Sequence, residues 1–580
     1  MRPGLPYVSR SLRLVVVTTL MALCGSSTSS AGDDERSPSH ELREGIPARP
    51  APFLHATLPA ATISFGRFTS YQINVDAVGN NIVGDAANEP SIAVDANDHN
   101  RMAVGWRQFD TVTSTFREAG VGFTTNGGLN WTCGKLDPGV FRSDPVLSSD
   151  AQGRFYYVSA TLNFTTFDIT TALFVSTNQG QTWGPPIPAF GGDKEWMTVD
   201  RTGGVTDGFI YQSWSTGTSP SNSKNFARSV NQGQNFQNPL AIPHRVQWGT
   251  IDVGPDGTVY VAGMNLQREN QLARSMFANN SGLNISFDTR PADIGGIMVE
   301  GQAAAPNGFG LLGQTWIAVD RSAGPRAGWL YMLASVRTPT DPLDVMFIRS
   351  TDGGLTWSTP KRVNDDPVGN GAYQWFGTMS VAPNGRIDVV WNDTRGSADL
   401  THSALYYSYS HDGGMTWSTS EQASPVWDST INGFPFENQK IGDYYHMISD
   451  DGGADLAWAA TFNGDQDVYY MRIPAPASAP MLASRSAVQP LGVVGSAPNP
   501  FTSSTAIQFD VPGEGGRASV NVFDMSGRRV AELFDGFAKG RQSVRWSGVD
   551  ATGRPVRPGV YLCRVDAPGA TQTLKLMLLK

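Results

Sequence analysis

The chain has 580 residues and a formal net charge of −9 at pH 7, and 16% of its residues are charged. No run of Lys or Arg resembles a nucleic-acid-binding patch, so we expect no nucleic-acid partner. The sequence holds 63 Gly and 37 Pro and consists of short β-branched and aromatic runs broken by Gly, Asn and Asp. Because long apolar stripes of helical period are absent, the pattern predicts an all-β protein.

The N-terminus has the outline of a secretory signal peptide. Arginines at positions 2, 10 and 13 precede an apolar stretch at residues 14–23, which is too short to span a membrane, and small polar residues follow it. Cleavage after Ala31 would make residues 1–31 the signal peptide, whereas lipoprotein processing at Cys24 is the alternative. Residues 32–61 are rich in Pro, Ala and charge and are predicted to be a disordered leader. We therefore expect a secreted or cell-surface protein.

Between residues 62 and 473 the chain repeats itself. One segment reads Ser/Thr-x-Asp/Asn-x-Gly-x-Thr/Asn-Trp/Phe, with clear copies at residues 124–131, 176–183, 229–236, 350–357 and 410–417 and a degenerate copy near 279–285. In such a turn the Asp or Asn side chain accepts hydrogen bonds from nearby backbone amides, and Gly supplies a positive φ. We assign this structural role to the third residues of the clear copies, Asn126, Asn178, Asn231, Asp352 and Asp412.

These segments are Asp-boxes (BNR repeats), and residues 62–473 resemble the sialidase-like family of β-propellers. A second repeat lies between the boxes and occurs seven times: a short strand, a Gly/Asp/Asn turn and an aromatic-rich strand. The resemblance implies that each copy is the inner hairpin of a blade, with a box turn joining the third and fourth strands. Seven hairpins favour seven blades, with six, the number in true sialidases, as the alternative. Residues 68–75 are expected to pair with residues 467–473 and to complete the last blade.

The first residues of the inner strands are candidates for a site, because these positions converge around the axis of a propeller. They are Glu89, Asp144, Lys194, Trp248, Gln314, Phe376 and Asp443, with Glu195 and Tyr444 adjacent. Aromatic rings stack on sugar faces and polar groups fix hydroxyls, so this ring of residues could bind a glycan. Arg107 and Arg395 follow second strands and are candidates to clamp a carboxylate on the same face. Alternatively, the ring residues satisfy one another and buried water.

Catalysis at the same positions is a second hypothesis. The sialidase resemblance implies an arginine triad, a Tyr nucleophile assisted by Glu, an Asp acid/base, and an Arg-Ile-Pro segment before the first box. No such segment precedes Thr124, and the triad has no residue-by-residue match. Hydrolysis by two carboxylates would use Glu89 with Asp144 or Asp443, and Tyr444 is the candidate phenol. The sequence therefore favours a glycan-binding propeller, with an exo-sialidase-like glycoside hydrolase and a protein-binding scaffold as alternatives.

The C-terminal part is predicted to be a separate small domain. Residues 474–488 have the composition of a linker, and residues 489–580 alternate in short strands with Gly turns, as in a small β-sandwich. The order of its motifs resembles the C-terminal sorting domain of the type IX secretion system and the immunoglobulin-like domain of flagellar hook-capping proteins. The resemblance implies outer-membrane export followed by release or attachment. A plain stalk is the alternative.

Metal and cysteine chemistry contribute little to the prediction. Segments 95–99 and 450–453 offer oxygen ligands for calcium, although Asp-rich hairpin turns need no metal, and no other cofactor is expected. Beyond the signal peptide, Cys133 and Cys563 lie in different predicted domains, so no disulfide framework is expected. We expect a monomer whose partner is a glycan or glycoprotein.

Overall fold

The computed structural model describes residues 48–51, 54–204, 206–280, 285–301, 305–308, 310–397, 399–430, 440–476, 492–525, 527–567 and 570–580. The predicted signal peptide, Cys24, and part of the predicted leader, of the linker and of the degenerate Asp-box lie outside these residues. The chain forms two compact units, Met1–Ala475 and Pro476–Lys580. The described part is all-β, as predicted, apart from a 3₁₀ turn at Pro243–Arg245. None of its helical segments has the length and apolar character of a membrane span.

Over the described residues, the first unit contains seven sheets of three to five antiparallel strands and a small two-stranded sheet. The chain begins with β1 (Thr57–Pro59), β2 (Thr62–Phe65), β3 (Phe68–Gln72) and β4 (Asn80–Ile82), of which β1 pairs with β4. Sheet 1 contains β5 (Ala86–Val94), β6 (Met102–Phe109), β7 (Glu118–Thr124) and β8 (Thr132–Lys135). Sheet 2 contains β9 (Ser143–Ser149), β10 (Phe155–Leu162), β11 (Ile169–Ser176) and β12 (Ile187–Pro188). Sheet 3 contains β13 (Trp196–Val199), β14 (Ile210–Ser213) and β15 (Phe226–Ser229).

The remaining four sheets follow in the same way. Sheet 4 contains β16 (Ile251–Val253), β17 (Val259–Met264), β18 (Asn270–Ser275) and β19 (Asp288–Pro291). Sheet 5 contains β20 (Trp316–Val319), β21 (Leu330–Val336), β22 (Asp344–Ser350) and β23 (Lys361–Arg362). Sheet 6 contains β24 (Gln374–Val381), β25 (Ile387–Asp393), β26 (His402–Ser410), β27 (Glu421–Gln422) and β28 (Trp427–Asp428). Sheet 7 contains β29 (His446–Asp450), β30 (Gly453–Ala460) and β31 (Asp467–Pro474), followed across the sheet by β3 and β2.

The sheets are arranged in a ring. The first strand of each sheet contacts the first strand of the next, in the order β5, β9, β13, β16, β20, β24 and β29, and β29 contacts β5 again. This closed ring of sheets is the architecture of a β-propeller. In sheet 7 the N-terminal strand β3 pairs with β31, with Tyr71 opposite Tyr470, as expected from the sequence. The pairing covers an edge of β31 that would otherwise be open.

The core lies between the sheets. Every residue of β5, β6 and β9 is buried, although the strands are antiparallel and might be expected to alternate between buried and exposed positions. The reason is that each sheet of the ring is covered on both faces by its neighbours. Large side chains such as Trp106, Trp391 and Trp458 fill the space between adjacent sheets.

The five Asp-boxes form one recurring turn after the third strand of a sheet. In the copy after β26, the Ser410 hydroxyl donates to Asp412 Oδ1 (2.8 Å), and the Gly414 amide donates to Ser410 Oγ (2.9 Å). The Thr416 amide donates to Asp412 Oδ1 (2.8 Å). The same three bonds recur at Asn126, Asn178, Asn231 and Asp352.

The fifth residue of each box also spaces neighbouring sheets. A Cβ atom on Gly414, whose φ is +76°, would stand 2.1 Å from Cε1 of Phe347 in the preceding sheet. Gly128, Gly180, Gly233 and Gly354 are similarly tight against side chains of the sheet before their own. Glycine is therefore needed for close packing as well as for its backbone conformation.

The second unit contains its own antiparallel sheet and core. Its strands are β32 (Gly492–Ala497), β33 (Thr505–Phe523), β34 (Arg529–Trp546), β35 (Gly559–Ala567) and β36 (Ala570–Leu578). The long strand β33 pairs with β32, β34 and β35, and β35 pairs with β36. Phe509, Val520, Trp546 and Leu576 are buried in its core.

Candidate functional site

The inner strands of the ring begin with an unusual backbone conformation. Five of the seven predicted ring residues have a positive φ: Glu89 (52°), Asp144 (47°), Lys194 (56°), Trp248 (59°) and Phe376 (58°). In sheets 5 and 7 a glycine takes this role, because Gly313 (148°) and Gly442 (91°) directly precede Gln314 and Asp443. The register of the inner hairpin shifts at the same point in sheets 1 and 6, as at a β-bulge. Since the feature recurs around the ring, it belongs to the fold and marks no single catalytic residue.

Six charged side chains meet at this end of the inner strands, and we call them the channel cluster. They are Glu89, Arg107, Asp144, Lys194, Lys440 and Asp443, and all are buried. Lys194 Nζ lies 3.0 Å from Asp144 Oδ2 and 2.9 Å from Asp443 Oδ2. Lys440 Nζ lies 2.9 Å from that same Asp443 oxygen, and Arg107 Nε lies 3.2 Å from Glu89 Oε2.

The ion pairs set the protonation states within the cluster. Burial raises the pKa of Asp144, but the Lys194 and Arg107 cations outweigh it and hold the pKa below its ordinary value. Burial likewise lowers the pKa of Lys194, but the surrounding carboxylates raise it well above the ordinary value. At Glu89 burial dominates over Arg107, so its pKa is raised well above the ordinary value. The cluster thus pairs an ionised Asp144 with buried cations, while burial favours the neutral form of Glu89.

Glu195 and Tyr444 lie beside the cluster. Both carboxyl oxygens of Glu195 are buried without a hydrogen-bond partner among the described residues. Burial, followed by the Asp144 charge, raises the pKa of Glu195 well above its ordinary value. The Tyr444 hydroxyl donates to the carbonyl of Pro145 (2.8 Å), and burial raises the pKa of this phenol. Tyr444 is therefore held as a neutral hydrogen-bond donor.

The other predicted ligand-binding residues lie in different surroundings. Arg395 pairs with Asp393 and Asp365 at 2.8 and 2.7 Å. Phe376 packs in the hydrophobic core of sheets 6 and 7. Trp248 is half-buried, with the Arg268 guanidinium 5.9 Å from its ring. Gln314 is buried two residues before the start of β20.

Sequence reasoning missed two charged members of this region. Lys440 lies three residues before Asp443, and Asp193 directly precedes Lys194, whose Nζ it approaches to 3.3 Å. Both are adjacent to predicted ring positions, so their proximity in sequence was a usable signal. Lys194 pairs with Asp144 and Asp443, and Lys440 pairs with Asp443, whereas neither carboxyl oxygen of Glu89 has a hydrogen-bond partner among the described residues. Glu89, Asp144 and Asp443 are all fully buried.

The opposite end of the inner strands holds a cavity of about 290 Å³, which we call the channel pocket. Its buried wall includes Trp196 and Trp316, whose ring centroids are 5.1 Å apart, and the ring of His446 packs against both. Arg201 and Arg321 line it with exposed side chains. Each arginine follows a Val-Asp pair at the end of an inner strand, a repeat that was visible in the sequence at residues 199–201 and 319–321.

The two segments considered for calcium meet near Asp455. His99 Nε2 lies 2.8 Å from Asp455 Oδ2 and 3.5 Å from Asp450 Oδ2. Arg472 lies 2.6 Å from Asp450 and 3.0 Å from Asp455. A cation at this point would compete with Arg472 for both carboxylates.

Comparison with known proteins supports the repeat assignment locally. Residues 408–419 match the BNR/Asp-box repeat. The match includes the turn at Asp412 described above. No curated protein matches the chain.

Solved structures show only loose likeness. A protein of unknown function from Dyadobacter fermentans is 12% identical, with a TM-score of 0.38, 71% of this chain and 99% of that chain covered. The sialidase of Trypanosoma rangeli in complex with the inhibitor DANA is 10% identical, with a TM-score of 0.35 and coverages of 89% and 87%. An ulvan lyase, a polysaccharide lyase, is 11% identical, with a TM-score of 0.35 and coverages of 72% and 96%.

Proposed function

We propose that this protein is an exported seven-bladed propeller that binds glycans or glycosylated surfaces through the channel pocket. Each of the seven sheets would be one blade of the ring. Binding, and not hydrolysis, is the preferred activity.

The observation that carries this proposal is the contrast between the two ends of the inner strands. The carboxylates considered for hydrolysis are buried and paired with Lys194, Lys440 and Arg107. The channel pocket instead combines an aromatic wall, the largely buried Trp196 and Trp316, with the exposed side chains of Arg201 and Arg321. Apolar and aromatic walls with few oriented polar groups are typical of small-molecule and sugar sites.

A glycan array and a panel of fluorogenic glycosides, both applied to the full mature chain, test the proposal. We expect binding without turnover, and loss of binding in Thr198→Trp, which would fill the pocket from β13. The matched control is Thr170→Trp, another half-buried threonine, on β11. Turnover that disappears in Asp144→Ala would overturn the preference for binding and favour a glycoside hydrolase. Binding to proteins stripped of glycans, with no glycan bound, would favour a scaffold.

We also propose that residues 1–31 direct export and that residues 489–580 act in type IX secretion, as an immunoglobulin-like sorting domain. Support comes from the N-terminal signal pattern and from the motif order of the C-terminal unit. In a bacterium with a type IX system, the full chain should reach the surface or the medium, and a chain lacking residues 489–580 should remain in the periplasm. Equal export of both chains would leave the second unit as a stalk.

A further inference from the structure

The two arginines of the channel pocket differ in their pairing. The Arg321 guanidinium donates to the Asp252 carboxylate and to the Val253 carbonyl. Arg201 makes no hydrogen bond or ion pair with any residue that the structure describes. Desolvation lowers the pKa of Arg201 and the nearby Arg321 cation lowers it further, whereas the charges of Asp252, Asp150 and Asp207 oppose this shift.

The lining of the pocket therefore carries an unmatched positive charge. The ionisable groups of the lining are Arg201, Arg321, Asp252 and His446. His446 accepts a hydrogen bond at Nδ1 from the Ile92 amide (3.3 Å), and its pKa is lowered to about 3 by burial and then by the Arg201 cation. The lining thus holds two arginines and one carboxylate, Asp252, which is hydrogen-bonded to Arg321 and acts on Arg201 only through its charge. This local excess stands out in a chain whose net charge is −9.

The pocket also offers a wall and a hydrogen-bonding group beside this charge. Trp196 and Trp316 form an apolar part of its lining and are 4% and 5% exposed. Ser449, which is 8% exposed, lines the pocket, and within the described part of the chain its hydroxyl has no hydrogen-bond partner. A volume of about 290 Å³ is at the small end of ligand cavities and suits a single ring-sized group.

We propose that the channel pocket binds an anionic sugar residue, and that Arg201 binds its carboxylate or sulfate group. A guanidinium presents planar, paired donors that match such oxyanions, and an unpaired one has these donors available. Trp196 and Trp316 would contact the apolar face of the sugar ring. The inference rests on the proposed glycan-binding function and specifies its ligand class.

Isothermal titration of the full chain with three methyl glycosides tests the ligand class. Methyl glucoside is the neutral probe, methyl glucuronide carries a carboxylate, and methyl glucoside 6-sulfate carries a sulfate. We expect at least one anionic probe to bind about 10-fold or more tightly than the neutral probe, as a charge-assisted hydrogen bond predicts. The anionic probe that binds more tightly shows whether the pocket prefers a carboxylate or a sulfate.

Arg201→Gln should reduce affinity for the preferred anionic probe to that of the neutral probe and leave neutral binding unchanged. Arg337→Gln, which changes an exposed arginine outside the pocket lining, should leave both affinities unchanged. Circular dichroism of both variants checks that they are folded. Equal binding of neutral and anionic probes, or a preference that survives Arg201→Gln, would overturn this inference and leave glycan binding intact. Absence of binding to these probes and to a glycan array would overturn the proposed function itself.

Discussion

Removing the ammonium group of Lys194 is expected to destabilise the ring more than any exposed substitution. Its Nζ lies within 3.3 Å of carboxylate oxygens from Asp144, Asp193 and Asp443, and its side chain is fully buried. In Lys194→Met these acids would lose the cation that offsets their desolvation. Breaking a buried pair in this way costs about 3–5 kcal/mol in the free energy of unfolding. Urea unfolding of the full chain at pH 7, followed by tryptophan fluorescence and circular dichroism, measures the loss.

The deficit of Lys194→Met should also depend on pH. In the wild-type chain the folded pKa of Asp144 is lowered, so its stabilisation is present above the unfolded pKa of about 3.9 and is lost as pH falls through the folded value. Without Lys194 we expect burial to raise the folded pKa of Asp144 above 3.9. The folded variant would then bind a proton more readily than the unfolded chain. Its deficit relative to wild type should be largest at pH 7 and smaller at pH 4.

Lys224→Met is the matched control, because Lys224 is exposed and the described residues show no ion pair to it. It should change the free energy of unfolding by less than about 0.5 kcal/mol. A loss below about 1 kcal/mol in Lys194→Met, or a deficit that does not vary between pH 4 and 7, would refute the reasoning that the ion pairs outweigh burial.

Three further substitutions test the turn, spacing and closure of the ring by urea unfolding. Asp352→Ala should lower the free energy of unfolding by about 1–2 kcal/mol at pH 7. Asp352→Asn should lower it much less, because the Asn side-chain oxygen accepts the same hydrogen bonds from backbone N–H groups as in the Asn-containing boxes. Hydrogen bonds in the turn, chiefly from a threonine hydroxyl, lower the pKa of Asp352 to about 2. The stability difference between wild type and Asp352→Ala should therefore shrink as pH falls from about 4 towards 2, and a constant difference would contradict this. Gly414→Ala should lower the free energy of unfolding by about 2 kcal/mol or more, since its Cβ would overlap a ring of the preceding sheet. Gly369 also has a positive φ, but a Cβ there would meet open space. An equal loss in Gly369→Ala would assign the cost to the backbone alone. Ser70→Pro lies in β3, between two partner strands, and should lower the free energy of unfolding by about 3 kcal/mol or more. Ser64→Pro lies in the edge strand β2 and should lower it less. The reverse order would argue against closure of the ring through β3.

Features set by local sequence were predicted well. Each Asp-box turn depends on contacts within eight residues, so the pattern around Asp412 was enough to assign its hydrogen bonds. Convergence of Glu89, Asp144, Lys194 and Asp443 followed from ring geometry, because equivalent positions of repeated units meet at one axis.

Features set by long-range packing were not predicted. Whether the ring residues are open to a ligand depends on neighbours such as Lys440, which lies outside the strand repeat and pairs with Asp443. Arg395 was expected to face the same site, but nearby Asp365 and Asp393 bind its guanidinium. The channel pocket was missed because only one end of the inner strands was considered, although Arg201 and Arg321 occupy equivalent repeat positions.

The Asp-box glycine has a consequence for how such a ring can grow. Gly414 fits against Phe347 of the sheet before it, so the contact that joins two neighbours is encoded partly within the later repeat. A duplicated repeat would therefore carry its own Asp-box glycine, which packs against the preceding sheet. Rings of different size could then arise from the same module, with only the closing pair of strands needing to be adjusted.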